Sequence, residues 1–114
     1  MAGKKIAVVT GGMGGLGETI STKMADAGYR VVVTYSPSKT KYKSWLEDMK
    51  RRGYSFAAYP VDVVEYEDCA RKSAQILAEC GPIDILVNNA GITRDMTFKK
   101  MMKADWDAVM RTNL

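Results

Sequence analysis

Apolar residues fall along this chain in two alternating rhythms. Ile6-Ala7-Val8-Val9 is a short unbroken apolar run, whereas Leu16, Ile20, Met24 and Ala27 recur at intervals of four, four and three. The first pattern predicts a strand covered on both faces and the second a helix with one apolar stripe, which Gly28 can end from the C′ position. Arg30-Val31-Val32-Val33-Thr34-Tyr35 is again continuous and β-branched, a second buried strand. Ser36-Pro37 then predicts a helix start, serine as N-cap and proline in the first helical position, with Tyr42, Trp45, Leu46 and Met49 as its apolar face up to Gly53. Residues 54–59 predict a third strand ended by Pro60, and Val61-Asp62-Val63 leads into a helix over residues 65–80. Cys69, Ser73, Ile76, Leu77 and Cys80 occupy one face of that helix, and Gly81-Pro82 stops it. Residues 83–87 predict a fourth strand, closed by Asn88-Asn89-Ala90-Gly91. The polar residues 93–103 predict a loop or broken helix, and Trp106, Val109, Met110 and Asn113 mark one face of a last helix.

Strands alternating with helices across short loops argue for an α/β fold, a parallel sheet with helices on both faces and right-handed crossovers. In such sheets ligands bind beyond the carboxyl ends of the strands. Residues 10–17, 35–41, 60–63 and 88–95 all follow strand ends, so these segments converge on one edge.

The first of them, Thr10-Gly11-Gly12-Met13-Gly14-Gly15-Leu16-Gly17, sits between a strand and a helix. Glycines let the backbone take positive φ and let a ligand lie against it, while the following helix offers unpaired N–H groups and the positive end of its dipole. An anion suits that position. Gly12, Gly14 and Gly17 fit G-x-G-x-x-G, and Thr10 with Gly11, Gly15 and Gly17 fits T-G-x-x-x-G-x-G. A plain tight turn between strand and helix is the alternative for either register.

Composition narrows the field only a little. The 114 residues suit one domain, 46% hydrophobic and 26% charged, with a formal net charge of +4. The basic excess is spread out, and its densest part, from Lys39 to Arg52, is interleaved with Tyr42, Trp45, Leu46 and Met49 at helical spacing. A solvated helix face accounts for it without nucleic acid. No apolar run reaches membrane-spanning length and the residues before Thr10 are too few for a signal-peptide core, so a cytoplasmic protein without membrane contact is expected. Cys69 and Cys80 lie about 16 Å apart along one helix and cannot bridge each other. With no histidine and no close cysteine pair, no metal site is expected.

Taken with the glycine stretch and Asp62-Val63, Asn88-Asn89-Ala90-Gly91 resembles the short-chain dehydrogenase/reductase family over the whole chain. Gly91-Ile92-Thr93-Arg94-Asp95 and Ala104-Asp105-Trp106-Asp107-Ala108-Val109 look most like its NADPH-dependent acetoacetyl-CoA reductases of polyhydroxybutyrate synthesis. The neighbouring 3-oxoacyl-carrier-protein reductases share much of this pattern. The resemblance implies a Rossmann-type doubly wound parallel sheet, about four strands of it present in the order 3-2-1-4, with residues 1–114 the N-terminal part of one dinucleotide-binding domain that continues beyond 114. It implies a small acyl thioester substrate and a homotetramer when complete. A non-catalytic dinucleotide-binding module is the alternative of another class.

By the same resemblance, Gly11, Met13, Gly14, Gly15, Leu16 and Gly17 line the cofactor's pyrophosphate and adenosine side. Asp62 accepts from the adenine amino group between Val61 and Val63. Asn89, Ala90 and Gly91 let the nicotinamide ribose approach, with Ile92 and Thr93 beside it; a plain Asn/Gly turn is the alternative there. Asp95 lies at the substrate mouth, or is simply an exposed loop acid. The cofactor choice follows from chemistry. An NAD enzyme places an acid about 20 residues past the glycines to accept from the ribose hydroxyls. Residues 34–41 hold none, while Ser36 and Lys41 can donate to a 2′-phosphate, which favours NADPH. Asn113 matches the family's catalytic-helix asparagine. The only Tyr-x-x-x-Lys, Tyr35 to Lys39, follows the wrong strand and is interrupted by Pro37, so the family's catalytic Ser, Tyr and Lys are expected beyond Leu114.

Overall fold

The computed structural model describes residues 5–62, 65–89, 100 and 103. The apolar runs become strands β1 (Ile6–Thr10), β2 (Arg30–Tyr35), β3 (Ala57–Pro60) and β4 (Ile85–Asn88). Between them lie α1 (Gly15–Asp26), α2 (Tyr42–Arg51) and α3 (Tyr66–Cys80). All pairings are parallel and the order is β3-β2-β1-β4, the 3-2-1-4 arrangement expected. β1 and β2 occupy the centre, which is why their sequences are apolar at successive positions: every side chain of β1 is buried, and Val31, Val32 and Val33 are buried in β2.

The two-residue alternation of strands splits those side chains between two cores. Ile6, Val8 and Val32 point to one face and pack with Cys69, Ile76 and Cys80 of α3, Val61 and Ile83. Val9, Val31 and Val33 point to the other, where Ile20 and Met24 of α1 and Tyr42, Trp45 and Leu46 of α2 cover them. α1 and α2 thus share one face and α3 takes the other, the doubly wound layering. Each fully buried valine contributes about 1.5–3 kcal/mol from removal of apolar surface from water. β4 is an edge strand among the described residues, with Ile85, Leu86 and Val87 half-buried.

Glycines finish the helices. Gly28, at φ 99, donates to the Ala25 carbonyl while Tyr29 N–H reaches back to Met24. Gly53, at φ 96, and Tyr54 repeat the arrangement on Lys50 and Met49. Both are Schellman endings, in which a left-handed residue satisfies the last carbonyls.

Four local expectations are corrected. α2 begins at Tyr42, not Pro37, because Lys39 N–H closes a β-turn on the Ser36 carbonyl at 2.9 Å, with Pro37 in the second turn position it favours. Leu16 is 68% exposed and not part of the α1 core stripe, which is carried by Ile20 and Met24; it lies in the first helical turn, before the helix lies over the sheet. β3 starts at Ala57, since Tyr54 is held by the end of α2 and Phe56 stacks against Trp45. β4 starts at Ile85, because Asp84 N–H donates to the Ile6 carbonyl and its carboxylate accepts from Ile6 N–H, ending the turn after α3. Pro60 closes β3 from within it, which an edge strand tolerates. Lys100 and Lys103 are helical.

Candidate functional site

Register pairs Thr10 with Asn88 and Tyr35 with Pro60, so the strands end level and the segments that follow them lie side by side on one rim. The segment after β1 is a glycine turn whose backbone needs particular glycines. Gly11 at φ 61 and Gly15 at φ 48 occupy the left-handed region, where a Cβ crowds the carbonyl oxygen. A Cβ at Gly17 would lie 2.0 Å from the Gly11 carbonyl oxygen, an impossible approach. These are the glycines of the T-G-x-x-x-G-x-G register. Gly14 belongs to neither constraint: its φ of −124 is available to any residue. Gly12 is fixed by packing, since a Cβ there would meet Val33 Cγ1 at 2.6 Å.

Hydrogen bonds bind this turn to the neighbouring strands. Gly11 N–H reaches Thr34 Oγ1 at 3.4 Å and Gly12 N–H the Thr34 carbonyl at 3.3 Å. Buried Ser21 donates to the Gly12 carbonyl from α1. From the far side, Asn89 Nδ2 donates to the Gly11 carbonyl at 3.0 Å, and Asn89 N–H donates to Thr10 Oγ1, which donates in turn to Val87 O. Asn89 therefore acts as a clamp joining β4 to the turn.

The result is an exposed helix end facing the rim. Gly14, Gly15 and Leu16 are exposed, and the Gly14 N-cap has no side-chain hydrogen bond into the helix. Gly17 N–H closes back on the Gly14 carbonyl at 2.8 Å, and the N–H groups of Gly15 and Leu16 lie at the positive dipole end. Glu18, in that same turn, would oppose an anion, but its carboxylate accepts from Trp45 Nε1 at 2.7 Å and pairs with Arg52 at 3.7 Å. α2 thus draws the local negative charge away. A cradle shaped by glycine and rimmed by helix N–H groups fits a dinucleotide pyrophosphate.

The other candidates distribute unevenly. Met13 is buried with Val9, Val31 and Val33, so its backbone alone is available to a ligand. Val61 is likewise buried in the α3 core. Asp62 is half-buried beside a cleft of about 390 Å³ that also involves Pro37, Pro60 and Asp68. Ser36 is exposed, its hydroxyl 2.9 Å from that of Ser38. Lys41 is exposed at the N-cap of α2. Val63, Ala90, Gly91, Ile92, Thr93, Asp95 and Asn113 lie outside the described residues. Tyr35 and Lys39 share no helix; the Tyr35 ring stacks on Tyr42 at 4.7 Å, and burial, then Tyr42, push its hydroxyl above the ordinary tyrosine value.

Two residues of the rim escaped the sequence reading. Asp68 accepts from Asp62 N–H at 2.8 Å and pairs with Arg71 and Lys72, fixing the β3–α3 connection. The Asp62 N–H, aided by Arg71 and Lys72 and opposed by burial, holds the Asp68 carboxyl below its usual range. The acid six residues after Asp62, at the start of a helix, was the available signal. Lys39 is the other: its Nζ lies 4.0 Å from where a Cβ of Gly14 would be. Its signal was the acid-free strand-end loop it shares with Ser36 and Lys41. Among the described residues no His/Cys/Asp/Glu cluster could hold a metal ion, and no helix is long and apolar enough to cross a membrane.

Comparison with known proteins agrees with this geometry. An acetoacetyl-CoA reductase of Cupriavidus necator is 44% identical over 111 residues, covering 97% of this chain and 45% of the relative. A 3-oxoacyl-acyl-carrier-protein reductase of Staphylococcus aureus is 37% identical over 110 residues, covering 96% of this chain and 45% of the relative. The chain therefore spans about half the length of these curated relatives. Among solved structures, a metagenomic short-chain oxidoreductase in complex with NADP superposes with a TM-score of 0.68 at 31% identity, over 79% of this chain and 40% of that one. The short chain dehydrogenase model matches residues 5–114. With the 3-2-1-4 parallel sheet and the glycine turn already in place, that match establishes that the chain belongs to the short-chain dehydrogenase/reductase family.

Proposed function

We propose that the protein carrying this chain is an NADPH-dependent 3-oxoacyl-thioester reductase that acts on acetoacetyl-CoA. The observation that carries the cofactor part is the glycine turn: two left-handed glycines and a third pressed against the Gly11 carbonyl oxygen, opening onto the N-terminus of α1, which no side chain caps. In this reading Gly11, Gly14, Gly15, Leu16 and Gly17 line the pyrophosphate and adenosine side, while Ser36 and Lys41 donate to the 2′-phosphate. Asp62 accepts from the adenine amino group. Asn89 holds the turn to β4, and Ala90, Gly91, Ile92 and Thr93 border the nicotinamide ribose. Asp95 stands at the substrate mouth and Asn113 on the catalytic helix.

NADPH supplies the hydride for such a reduction. The residues of this chain bind and orient it. They bring positive dipole and lysine charge to its phosphates and present no acid at the end of β2 to repel the 2′-phosphate. The thioester substrate is supported by the similarity to the acetoacetyl-CoA reductase of C. necator. The similarity to the S. aureus carrier-protein reductase favours a second reading, the same chemistry on a carrier-protein thioester.

Fluorescence titration of the full-length protein with NADPH and NADH tests the cofactor, with tighter NADPH binding expected and tighter NADH binding refuting it. Nicotinamide absorbance with acetoacetyl-CoA and with an acetoacetyl carrier protein tests the substrate. Faster turnover of the carrier-protein thioester would replace the first reading by the second.

A further inference from the structure

An acid in the first turn of a helix favours that helix and hinders any anion its end receives. Glu18 is that residue in α1. Its charge suits the helix dipole, and the same dipole attracts a dinucleotide pyrophosphate. Turned loose beside the glycine turn, the carboxylate would repel the ligand the turn is shaped for.

Both of its oxygens are instead taken by α2. Oε1 accepts from Trp45 Nε1 at 2.7 Å, and Oε2 lies 3.7 Å from Arg52 Nη1. Each partner is fixed by contacts of its own. The Trp45 ring stacks on Phe56, centroids 5.6 Å apart, within the core where α1 and α2 cover the sheet. Arg52 caps the end of α2, its N–H donating to the Asp48 and Met49 carbonyls while its guanidinium lies over the Tyr54 ring. Asp48 pairs with Arg51, so among the described residues Glu18 is the acid that Arg52 meets. A neutral donor and a full cation thus hold one carboxylate, and both belong to a different helix from the acid.

The end of α1 therefore suits an anion only with α2 in place. We propose that Trp45 and Arg52 are positioning residues for the dinucleotide: by holding and neutralising the Glu18 carboxylate, they make affinity at the glycine turn depend on the docking of α2. They act through Glu18 and not by contact with the cofactor. The inference rests on the dinucleotide reading above, whichever of NADPH and NADH binds more tightly. The side chains of Glu18 and Arg52 are 36% and 49% exposed, so water screens the pair and the effect is modest.

The test measures dissociation constants for NADPH and NADH from the fluorescence of the reduced nicotinamide. It uses the full-length protein and its Trp45→Phe, Arg52→Gln and Glu18→Gln variants, singly and combined. Trp45→Phe and Arg52→Gln are each expected to weaken both dinucleotides about threefold, and together on the order of tenfold, a loss that shrinks as salt is raised. Glu18→Gln should keep the wild-type affinity, and adding it to the double variant should restore that affinity, since no charge is then left to hold. Trp45→Phe keeps the ring that stacks on Phe56, so it carries the test where Arg52→Gln disturbs folding. A merely structural bridge predicts the opposite for Glu18→Gln, which breaks the same contacts: a loss equal to that of Arg52→Gln, with no rescue, would overturn the proposal. Unchanged affinity in the double variant would overturn it as well, and so would weakening confined to NADPH. A wild-type protein that binds neither dinucleotide would instead overturn the cofactor reading, a result separable from these.

Discussion

Alanine substitutions along the glycine turn should separate conformational need from mere sequence pattern. At Gly17 a Cβ would sit 2.0 Å from the Gly11 carbonyl oxygen and 3.0 Å from Asn89 Nδ2. Relieving that clash requires the turn and α1 to part, an overpacking cost of about 1–3 kcal/mol. It also strains the Asn89–Gly11 hydrogen bond, about 1 kcal/mol, while alanine's better helix propensity returns about 1 kcal/mol. The net loss expected for Gly17→Ala is about 2 kcal/mol. At Gly15 nothing lies within 4 Å of a Cβ, so the cost is the left-handed conformation alone, about 1–2 kcal/mol less a few tenths from a stiffer unfolded chain. At Gly14 the extended backbone accepts a side chain, and a poorer N-cap and a stiffer unfolded chain offset each other to about zero. Urea unfolding followed by tryptophan fluorescence and circular dichroism reads the series. For a typical m-value, Gly17→Ala should lower the midpoint by about 1 M, Gly15→Ala by about half that, and Gly14→Ala should leave it in place. Equal midpoints for Gly17→Ala and Gly14→Ala would refute the reasoning, since only one of them adds an atom against backbone.

Further measurements probe the contacts around the turn. Asn89→Ala should cost about 1–2 kcal/mol in the same unfolding assay, because the Gly11 carbonyl loses its side-chain donor; no change would mean that solvent replaces the clamp. The Asp68 carboxyl is depressed in the folded state, so its stabilisation is complete above the ordinary carboxylate value of 3.8 and is lost as pH falls through the lower folded value. Asp68→Asn should accordingly show a shallower loss of stability below about pH 4 than the wild type, and an identical acid profile would contradict this. Cys69 and Cys80 are buried and not joined in a disulfide, so an aromatic disulfide reagent should react slowly with the native protein and rapidly with both thiols in denaturant. Fast native reaction would show that α3 opens readily.

Much of the fold was legible because the chain states it twice, once in periodicity and once in punctuation. Val8 and Val32, on one face, alternate with Val9 and Val33 on the other, and Gly28 and Gly53 stop helices where the apolar stripes end. The misreadings fall where one local pattern serves two structures. Ser36-Pro37 suits a helix start and a β-turn equally, and the choice is made by Lys39 closing on Ser36. Leu16 keeps helical spacing with Ile20, yet it precedes the point where α1 meets the sheet. Spacing alone leaves the glycine register open, since both registers contain Gly17; the resemblance carried by Asn88 to Gly91 selects Gly11, Gly15 and Gly17, and two positive φ values and a contact to one carbonyl oxygen agree with it. Asn89 is named by the resemblance, but its clamping bonds, like the placement of Lys39, depend on a residue far away in sequence or on another loop.

That last dependence bears on how the chain becomes competent. The turn is encoded among the first residues, but two of the bonds that hold it, Asn89 to Thr10 and Asn89 to Gly11, span 79 and 78 residues. Closing a loop of that size costs about 4 kcal/mol of chain entropy, repaid only when β4 pairs with β1. During synthesis the glycine sequence therefore emerges early and acquires its final geometry late, after residue 89 is free to dock. Any ligand of the finished turn then stabilises the closure of the whole sheet, and its binding reports that β4 has arrived.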